Sequence, residues 1–260
     1  MFFKNPCFTQ GVFICYNEVM NKYTVIILVL VLLGGYLLLN NKNLKEEGKV
    51  DEVKKGTVSL CYYYSNKTSS GLYDRSWVRL DINDENVSGE FNNYPAEKDS
   101  KIGKFEGTVG PLDQRMMGRT ASVWWNSLAE GMEVKEELII NFGEGSAVAM
   151  FGEMVDRGDG VYLYKDKRNL TPGFNLSQVS CEDLDEILAV EKYVRDNIKT
   201  IATDKPILGG SWYVVSVFVN YSMNSGTVVY EDGHIQSKAE FKYEFDEKTK
   251  TVLVKEFKVN

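Results

Sequence analysis

Apolar and polar residues alternate along much of the chain after residue 57, which is the pattern of a half-buried β-strand. In the first such stretch, TVSLCYYY, Val58, Leu60 and Tyr62 share one face and Cys61 lies on the other. Similar stretches recur between Gly, Asp and Asn turns, at residues 77–82, 87–91, 101–109, 120–126, 133–142, 146–154 and 161–164. About eight short strands in this region predict an antiparallel barrel or sandwich.

We expect a lipocalin-like barrel of about eight strands over residues 57–170. A barrel of that strand number is narrow, so its interior is either filled by side chains or large enough for one small ligand. The mainly β fold class therefore leaves a ligand site open as a possibility but does not require one.

The pattern changes over residues 171–260. Thr171 is followed by Pro and Gly, which predicts a break between two parts of the chain over residues 171–180. Ser180 then has the position of a helix N-cap with Asp183 three residues later, and apolar residues follow at helical spacing to about Thr200. Alternating stretches at 211–220, 226–231, 235–245 and 251–259 complete the prediction of one helix packed on a three- or four-stranded antiparallel sheet, a cystatin-like arrangement.

An apolar run precedes the predicted barrel. Residues 23–39 contain no charge, and twelve of these 17 residues are Leu, Ile or Val. The run is long enough to span a bilayer core, and no small-residue cleavage site follows it, so we favour a single-pass transmembrane anchor over a cleaved signal. Residues 1–22 form an N-terminal tail, in which Met20 is a candidate for the native start, and residues 40–56 form a polar stalk. We expect a cytoplasmic N-terminus and an extracytoplasmic body at the cell membrane.

Composition narrows the classes of function. The 260 residues are 43% apolar and carry a net charge of −7, so no basic surface for nucleic acid is expected. A single histidine excludes multi-His metal sites, and the sequence contains neither a P-loop nor a G-x-S-x-G nucleophile motif. The sequence therefore predicts no cofactor, no metal site and no catalytic residues.

Adjacent tryptophans are the candidate ligand-binding feature. Trp124 and Trp125 follow each other on a predicted strand, so their side chains point to opposite faces. We expect Trp125 to line the interior and Trp124 to face outward near Arg115 and Arg119, since Trp and Arg are enriched at recognition surfaces. The alternative is that the outward Trp packs against the rest of the body.

Two cysteines lie beyond the predicted anchor, Cys61 and Cys181. In an exported body they are candidates for a disulfide. The alternative is a thiol enzyme in which Cys181, at a helix N-terminus, is the nucleophile and His234 the base. Acidic residues beside Cys181 disfavour a thiolate, so we favour the disulfide. Two unpaired buried thiols are a third possibility.

Several segments have a distinctive composition, among them CYYYSNKTSSGLYDRSW, VGPLDQRMMGRTASVWWNSL, GEMVDRGDGVYLY, LGGSWYVVSV and YEDGHI. In these segments the chain resembles an uncharacterised group of membrane-anchored bacterial envelope proteins. The resemblance implies a bacterial envelope setting and no particular activity. The sequence as a whole predicts a membrane-anchored extracytoplasmic binding or protein-interaction module, whose partner is a protein or an envelope ligand. The alternatives are the envelope thiol enzyme and a purely structural assembly subunit.

The anchor can be tested by cell fractionation. The full-length chain should be recovered with membranes, and deleting residues 1–19 should not change this, because those residues lie outside the apolar run. Deleting residues 23–39 should release the body from the membrane. Recovery of the full-length chain in the soluble fraction would contradict the prediction.

Overall fold

A computed structural model describes residues 56–115, 117–207 and 209–260 of the chain. Within these ranges the chain forms fourteen β-strands and one α-helix. The first ten strands are β1 (Val58–Lys67), β2 (Tyr73–Asn83), β3 (Asn86–Tyr94), β4 (Lys101–Val109), β5 (Gly118–Ala129), β6 (Met132–Gly143), β7 (Ser146–Phe151), β8 (Met154–Asp156), β9 (Val161–Tyr164) and β10 (Thr171–Val179). The remaining elements are α1 (Cys181–Ile201), β11 (Tyr213–Asn220), β12 (Ser225–Glu231), β13 (Gln236–Asp246) and β14 (Thr251–Val259).

Eight of these strands close into an antiparallel barrel, which confirms the predicted fold class. Strands β1 to β7 pair with their neighbours in chain order, and β10 pairs with both β7 and β1 to complete the ring. The short strands β8 and β9 form a hairpin outside the ring, attached by parallel pairing of β9 with β6. Because every strand of the ring has two neighbours, the barrel has no unpaired edge.

The barrel interior is filled by side chains over most of its length. Alternate residues of each strand point inward, for example Val78 and Leu80 on β2 and Val123 and Trp125 on β5. Large residues from other strands, such as Phe105, pack against them. This apolar burial is the main favourable term that holds the closed sheet together.

The predicted break at residues 171–180 is wrong, because Thr171–Val179 forms the closing strand β10. Leu176 is the one residue of β10 that is fully buried, and Pro172 lies next to a β-bulge. The strand therefore lacks the alternation by which the others could be recognised. The predicted strand 146–154 is likewise two strands, since β7 ends at Phe151 and β8 begins at Met154.

Helix α1 packs on the four-stranded antiparallel sheet β11–β12–β13–β14, as predicted. The Ser180 hydroxyl accepts a hydrogen bond from the Asp183 backbone N–H at 3.0 Å, which confirms the N-cap. Ile187, Val190 and Val194 face the sheet and pack against residues such as Val217 and Phe241.

The neighbouring face of α1 packs against the outside of the barrel. Leu184 is buried together with Cys61 and Trp77 from β1 and β2. Cys61 forms a disulfide with Cys181 at the start of α1, with a Cα–Cα distance of 5.2 Å. The predicted disulfide is therefore confirmed, and it joins the barrel wall to the helix.

A buried ion pair crosses the same contact. The Arg75 guanidinium on β2 pairs with the Glu191 carboxylate on α1, and both side chains are almost fully buried. The Arg75 guanidinium also lies 5.1 Å from the centre of the Tyr94 ring. Burial and the nearby Glu191 carboxylate raise the pKa of the Tyr63 hydroxyl, so this phenol is neutral.

The predicted anchor at residues 23–39, the N-terminal tail and the stalk up to residue 55 lie outside the described residues. Among the residues that the structure describes, no helix is both long enough and apolar enough to span a membrane. The anchor therefore stays a prediction from sequence.

The disulfide should stabilise the body by constraining a separation of 120 residues in the unfolded chain. The chain-entropy relation gives a stabilisation of about 4–5 kcal/mol, so replacing both Cys61 and Cys181 with Ala should lower the free energy of unfolding by up to that amount. Denaturant titration followed by tryptophan fluorescence measures the change. A Cys7→Ser, Cys15→Ser variant is the control and should keep wild-type stability.

The same bond can be tested chemically. In the Cys7→Ser, Cys15→Ser background, neither remaining cysteine should react with a thiol reagent under denaturing conditions until a reductant is added. Free labelling of both cysteines without reductant would contradict the disulfide.

The Arg75–Glu191 pair should be sensitive to loss of one partner. Glu191→Leu leaves the buried Arg75 charge without its carboxylate and should cost about 3–5 kcal/mol, whereas Arg75→Met combined with Glu191→Leu should recover most of this loss. Lys192→Ala removes an exposed pair with Asp196 on the same helix and should cost only roughly 0.3–0.5 kcal/mol. Equal destabilisation by the single and the double variant would show that the pair is not coupled.

Candidate ligand-binding site at the barrel mouth

One end of the barrel is open to a cavity of about 290 Å³. It is the end at which β3 and β5 finish and β4 and β6 begin, and we call it the mouth. Its floor is apolar and consists of Phe91, Trp125 and Leu138, which are buried members of the barrel core. The ring centres of Phe91 and Trp125 are 5.0 Å apart, and the Trp125 indole N–H donates a hydrogen bond to the Gly103 carbonyl at 3.0 Å. The floor is thus held in one orientation.

An ion pair lines the wall of the mouth. Lys101 occupies an inward position at the start of β4, two residues before Gly103 and four before Phe105, and its ammonium pairs with the Glu136 carboxylate. Glu136 has an inward position on β6, two residues before Leu138, and its side chain is only 12% exposed. The Lys101 side chain is 35% exposed, so the pair lies between the apolar floor and solvent.

Trp125 of the floor lies next to both members of this ion pair. It lies directly opposite Glu136 in the register of β5 and β6. The Lys101 ammonium is 5.1 Å from the centre of the Trp125 ring, within the range of a cation–π interaction. An aromatic surface and two opposite charges therefore border the same cavity.

The rim of the mouth is formed by the ends of β7, β8 and β9. Phe151, Met154 and Tyr164 line the cavity there. The Tyr164 hydroxyl donates a hydrogen bond to the Met150 carbonyl at 2.6 Å, which fixes β9 against the end of β7. Burial, with a further contribution from the Glu136 charge, raises the pKa of Tyr164 to about 12. The Tyr164 phenol is therefore neutral and serves as a structural hydrogen-bond donor, so it is not a base.

Three other hollows in the described residues are larger but lie on the outer faces of the sheets. Their volumes are about 480, 510 and 630 Å³, and each is bordered mainly by polar and charged residues such as Glu240, Lys104 and Lys135. The mouth differs from these surfaces because inward-facing charges lie there beside residues of the barrel core. Those are the features of small-molecule sites in proteins.

The structure separates the residues that the sequence analysis grouped as a binding site. Trp125 lines the interior, as expected, and is 2% exposed. Trp124 faces outward and is partly buried, with the Lys135 ammonium 5.8 Å from its ring centre. Trp124 lies five positions after Arg119 on the same strand, which corresponds to about 17 Å and places the two side chains on opposite faces.

The two arginines lie at the other end of the barrel. Arg119 is at the start of β5, where its guanidinium donates to the Gly110 carbonyl at 2.8 Å and to the Asp84 carbonyl at 3.5 Å. Arg115 is exposed in the preceding loop. The grouping of Trp124 with Arg115 and Arg119 is therefore wrong, since these residues do not form one surface.

The candidate thiol site is also not supported. The Cys181 sulfur is bonded to Cys61, and a disulfide sulfur is not a thiolate nucleophile. His234 lies in the turn between β12 and β13, where the Asp232 carboxylate accepts hydrogen bonds from the backbone N–H groups of His234 and Ile235, both at 2.9 Å. These contacts identify His234 as a turn residue.

Lys101 and Glu136 are not among the candidate residues identified from the sequence. Both charges occupy positions where the strand alternation requires an inward side chain, and an inward charge near a strand end is a detectable signal. What the sequence did not contain is the register that brings β4 and β6 to the two sides of Trp125. The pairing of these two charges therefore appears only in the folded barrel.

Comparison of the chain with known protein families, with curated proteins and with solved structures finds no match.

Proposed function

We propose that the protein is a membrane-anchored extracytoplasmic binding module whose barrel mouth takes a small ligand. The observation that carries the proposal is the ion pair facing into a cavity with an apolar floor, at the end of a barrel that is otherwise filled. A charge pair at an inward position needs solvent or a polar ligand beside it, because burial without further partners is costly. Phe151, which is 36% exposed at the rim, offers apolar burial to the rest of such a ligand.

The extracytoplasmic part of the proposal has separate support. A structural disulfide persists in oxidising compartments and is rare in the cytosol. The Cys61–Cys181 bond thus agrees with an exported body, and the apolar run at residues 23–39 supplies the predicted attachment to the membrane. Binding requires no catalytic residue, which agrees with the engagement of Tyr164 in a structural hydrogen bond and of Cys181 in the disulfide.

Ligand binding at the mouth can be located with fluorine NMR. The chain contains four tryptophans, and 5-fluorotryptophan labelling gives each one a separate resonance. The probes are single-ring aromatic fragments that include neutral, anionic and cationic members, added to the full-length chain in lipid nanodiscs. At least one fragment should shift the Trp125 resonance, assigned by Trp125→Phe, and should leave that of Trp212, which is buried against the other sheet, unchanged.

Two neighbouring substitutions provide a matched pair of variants. Met154 lines the cavity, whereas Val155 is the next residue of β8 and is 41% exposed. Met154→Phe should fill the mouth and weaken binding at least tenfold, whereas Val155→Phe should have little effect, because adjacent strand residues face opposite ways. If no fragment shifts Trp125, the binding proposal fails and the structural assembly subunit becomes the favoured alternative.

A further inference from the structure

We infer that the ligand of the mouth is a small molecule without net charge, in which a hydrogen-bond donor lies next to an acceptor at the end of a compact apolar body. A primary amide and the ammonium carboxylate of an amino acid are two examples of this group. The inference rests on the proposed function, since it concerns the ligand of the same cavity.

The ion pair in the wall decides the charge of the ligand. Lys101 and Glu136 compensate each other, and Glu136 is the more buried of the two. A ligand with one negative charge that binds Lys101 would lie beside the Glu136 carboxylate, and the single ammonium would then compensate only one of the two anions. A cationic ligand bound to Glu136 would in the same way leave one of two cations uncompensated. Leaving one member of a partly buried pair uncompensated is strongly unfavourable.

Among the residues that the structure describes at the mouth, no other charged group is available to compensate a charged ligand. Glu137 also borders the cavity, but its carboxylate oxygens accept a hydrogen bond from the Tyr164 backbone N–H at 3.3 Å and pair with the Lys167 ammonium at 2.5 Å. Lys135, the next residue before Glu136, points outward over Trp124. The charge selectivity therefore depends on Lys101 and Glu136.

A ligand with an adjacent donor and acceptor avoids this cost. Its donor can bind the Glu136 carboxylate while its acceptor binds the Lys101 ammonium, so both charges keep a partner. The hydrogen bonds formed in this way are charge-assisted, which makes them stronger than bonds between neutral groups. The pair then acts as a bipolar clamp that selects against single charges.

The rim and the volume set the apolar part of the ligand. Phe91 and Trp125 are each only 2% exposed, so the apolar surface open to a ligand is mainly at the rim, where Phe151 is 36% exposed. An aromatic side chain at this place suits a flat ring or a compact alkyl group. A volume of about 290 Å³ lies at the lower end of the range for small-molecule pockets. One ring with a short polar arm matches this size, whereas a two-chain lipid exceeds it.

Four compounds with one shared body test the charge rule. They are 3-phenylpropionamide (neutral), phenylalanine (zwitterionic), 3-phenylpropionate (anionic) and 2-phenylethylammonium (cationic). Each is titrated into the full-length chain in nanodiscs, and the shift of the Trp125 fluorine resonance gives the dissociation constant. The amide or the zwitterion should bind at least tenfold more tightly than either ion.

Substitutions in the clamp should change this order in a defined direction. Glu136→Gln keeps the side-chain shape and frees Lys101, so 3-phenylpropionate should gain at least tenfold in affinity. Lys101→Met frees Glu136 and should favour 2-phenylethylammonium instead. Lys101→Glu combined with Glu136→Lys restores a neutral pair and should restore the preference for the uncharged compounds. Unchanged Trp77 and Trp212 resonances show that each variant is folded.

The possible outcomes separate the charge rule from the proposed site. Tightest binding of either ion by the wild-type chain, with a shift at Trp125, would overturn the charge rule and leave the mouth as a ligand site. Failure of all four compounds and of the wider fragment set to shift Trp125 would overturn both proposals. If the variants do not fold, the order of the four compounds on the wild-type chain decides the question.

Discussion

Closure of the barrel by β10 is the constraint on which the rest of the body depends. The strand pairs with β7 on one side and β1 on the other, and Val179 at its end lies opposite Cys61 in the register. Only Ser180 lies between the end of β10 and the start of α1, and this short connection places Cys181 beside Cys61. The disulfide, the Arg75–Glu191 pair and the packing of Leu184 all follow from this placement of the helix against the barrel wall.

Closure also explains why the mouth is the favoured site within the barrel. Inward side chains of eight strands fill the centre, as expected for a narrow barrel. Near the strand ends, Lys101 and Glu136 occupy inward positions that are apolar farther inside the barrel. Trp125 belongs to the core, and the Lys101 ammonium lies over its ring. An inward position next to solvent can hold a charge that the centre could not, because hydration is only partly lost there. The cavity is therefore bordered both by a partly solvated ion pair and by tightly packed core residues.

Helix α1 packs against both the four-stranded sheet and the barrel. One face of the helix is apolar towards the sheet, and the other carries Leu184, Asp185 and Glu191 towards the barrel. Direct contacts add to this, since the Tyr73 and Phe218 rings stack with centres 4.7 Å apart and the Tyr73 backbone N–H donates to the Ser216 hydroxyl at 3.0 Å. These contacts are on the opposite side of β1 and β2 from the interior, so the barrel keeps its own core and its own mouth.

The sequence by itself determined the elements whose burial is periodic. The alternation in β1, β2 and β5, the capped helix after Ser180 and the alternation in β13 are local consequences of which residues must face a core. The disulfide followed from the predicted export of the body and from strand parity. Tertiary structure alone decided the role of β10, whose exposed, Pro- and Gly-containing sequence has no periodic pattern. It also decided the candidate binding site, because Lys101 and Glu136 are 35 residues apart in sequence and become partners only when the register of β4, β5 and β6 is fixed. Register depends on the summed packing and hydrogen bonding of whole strands, so no local pattern specifies which charges meet.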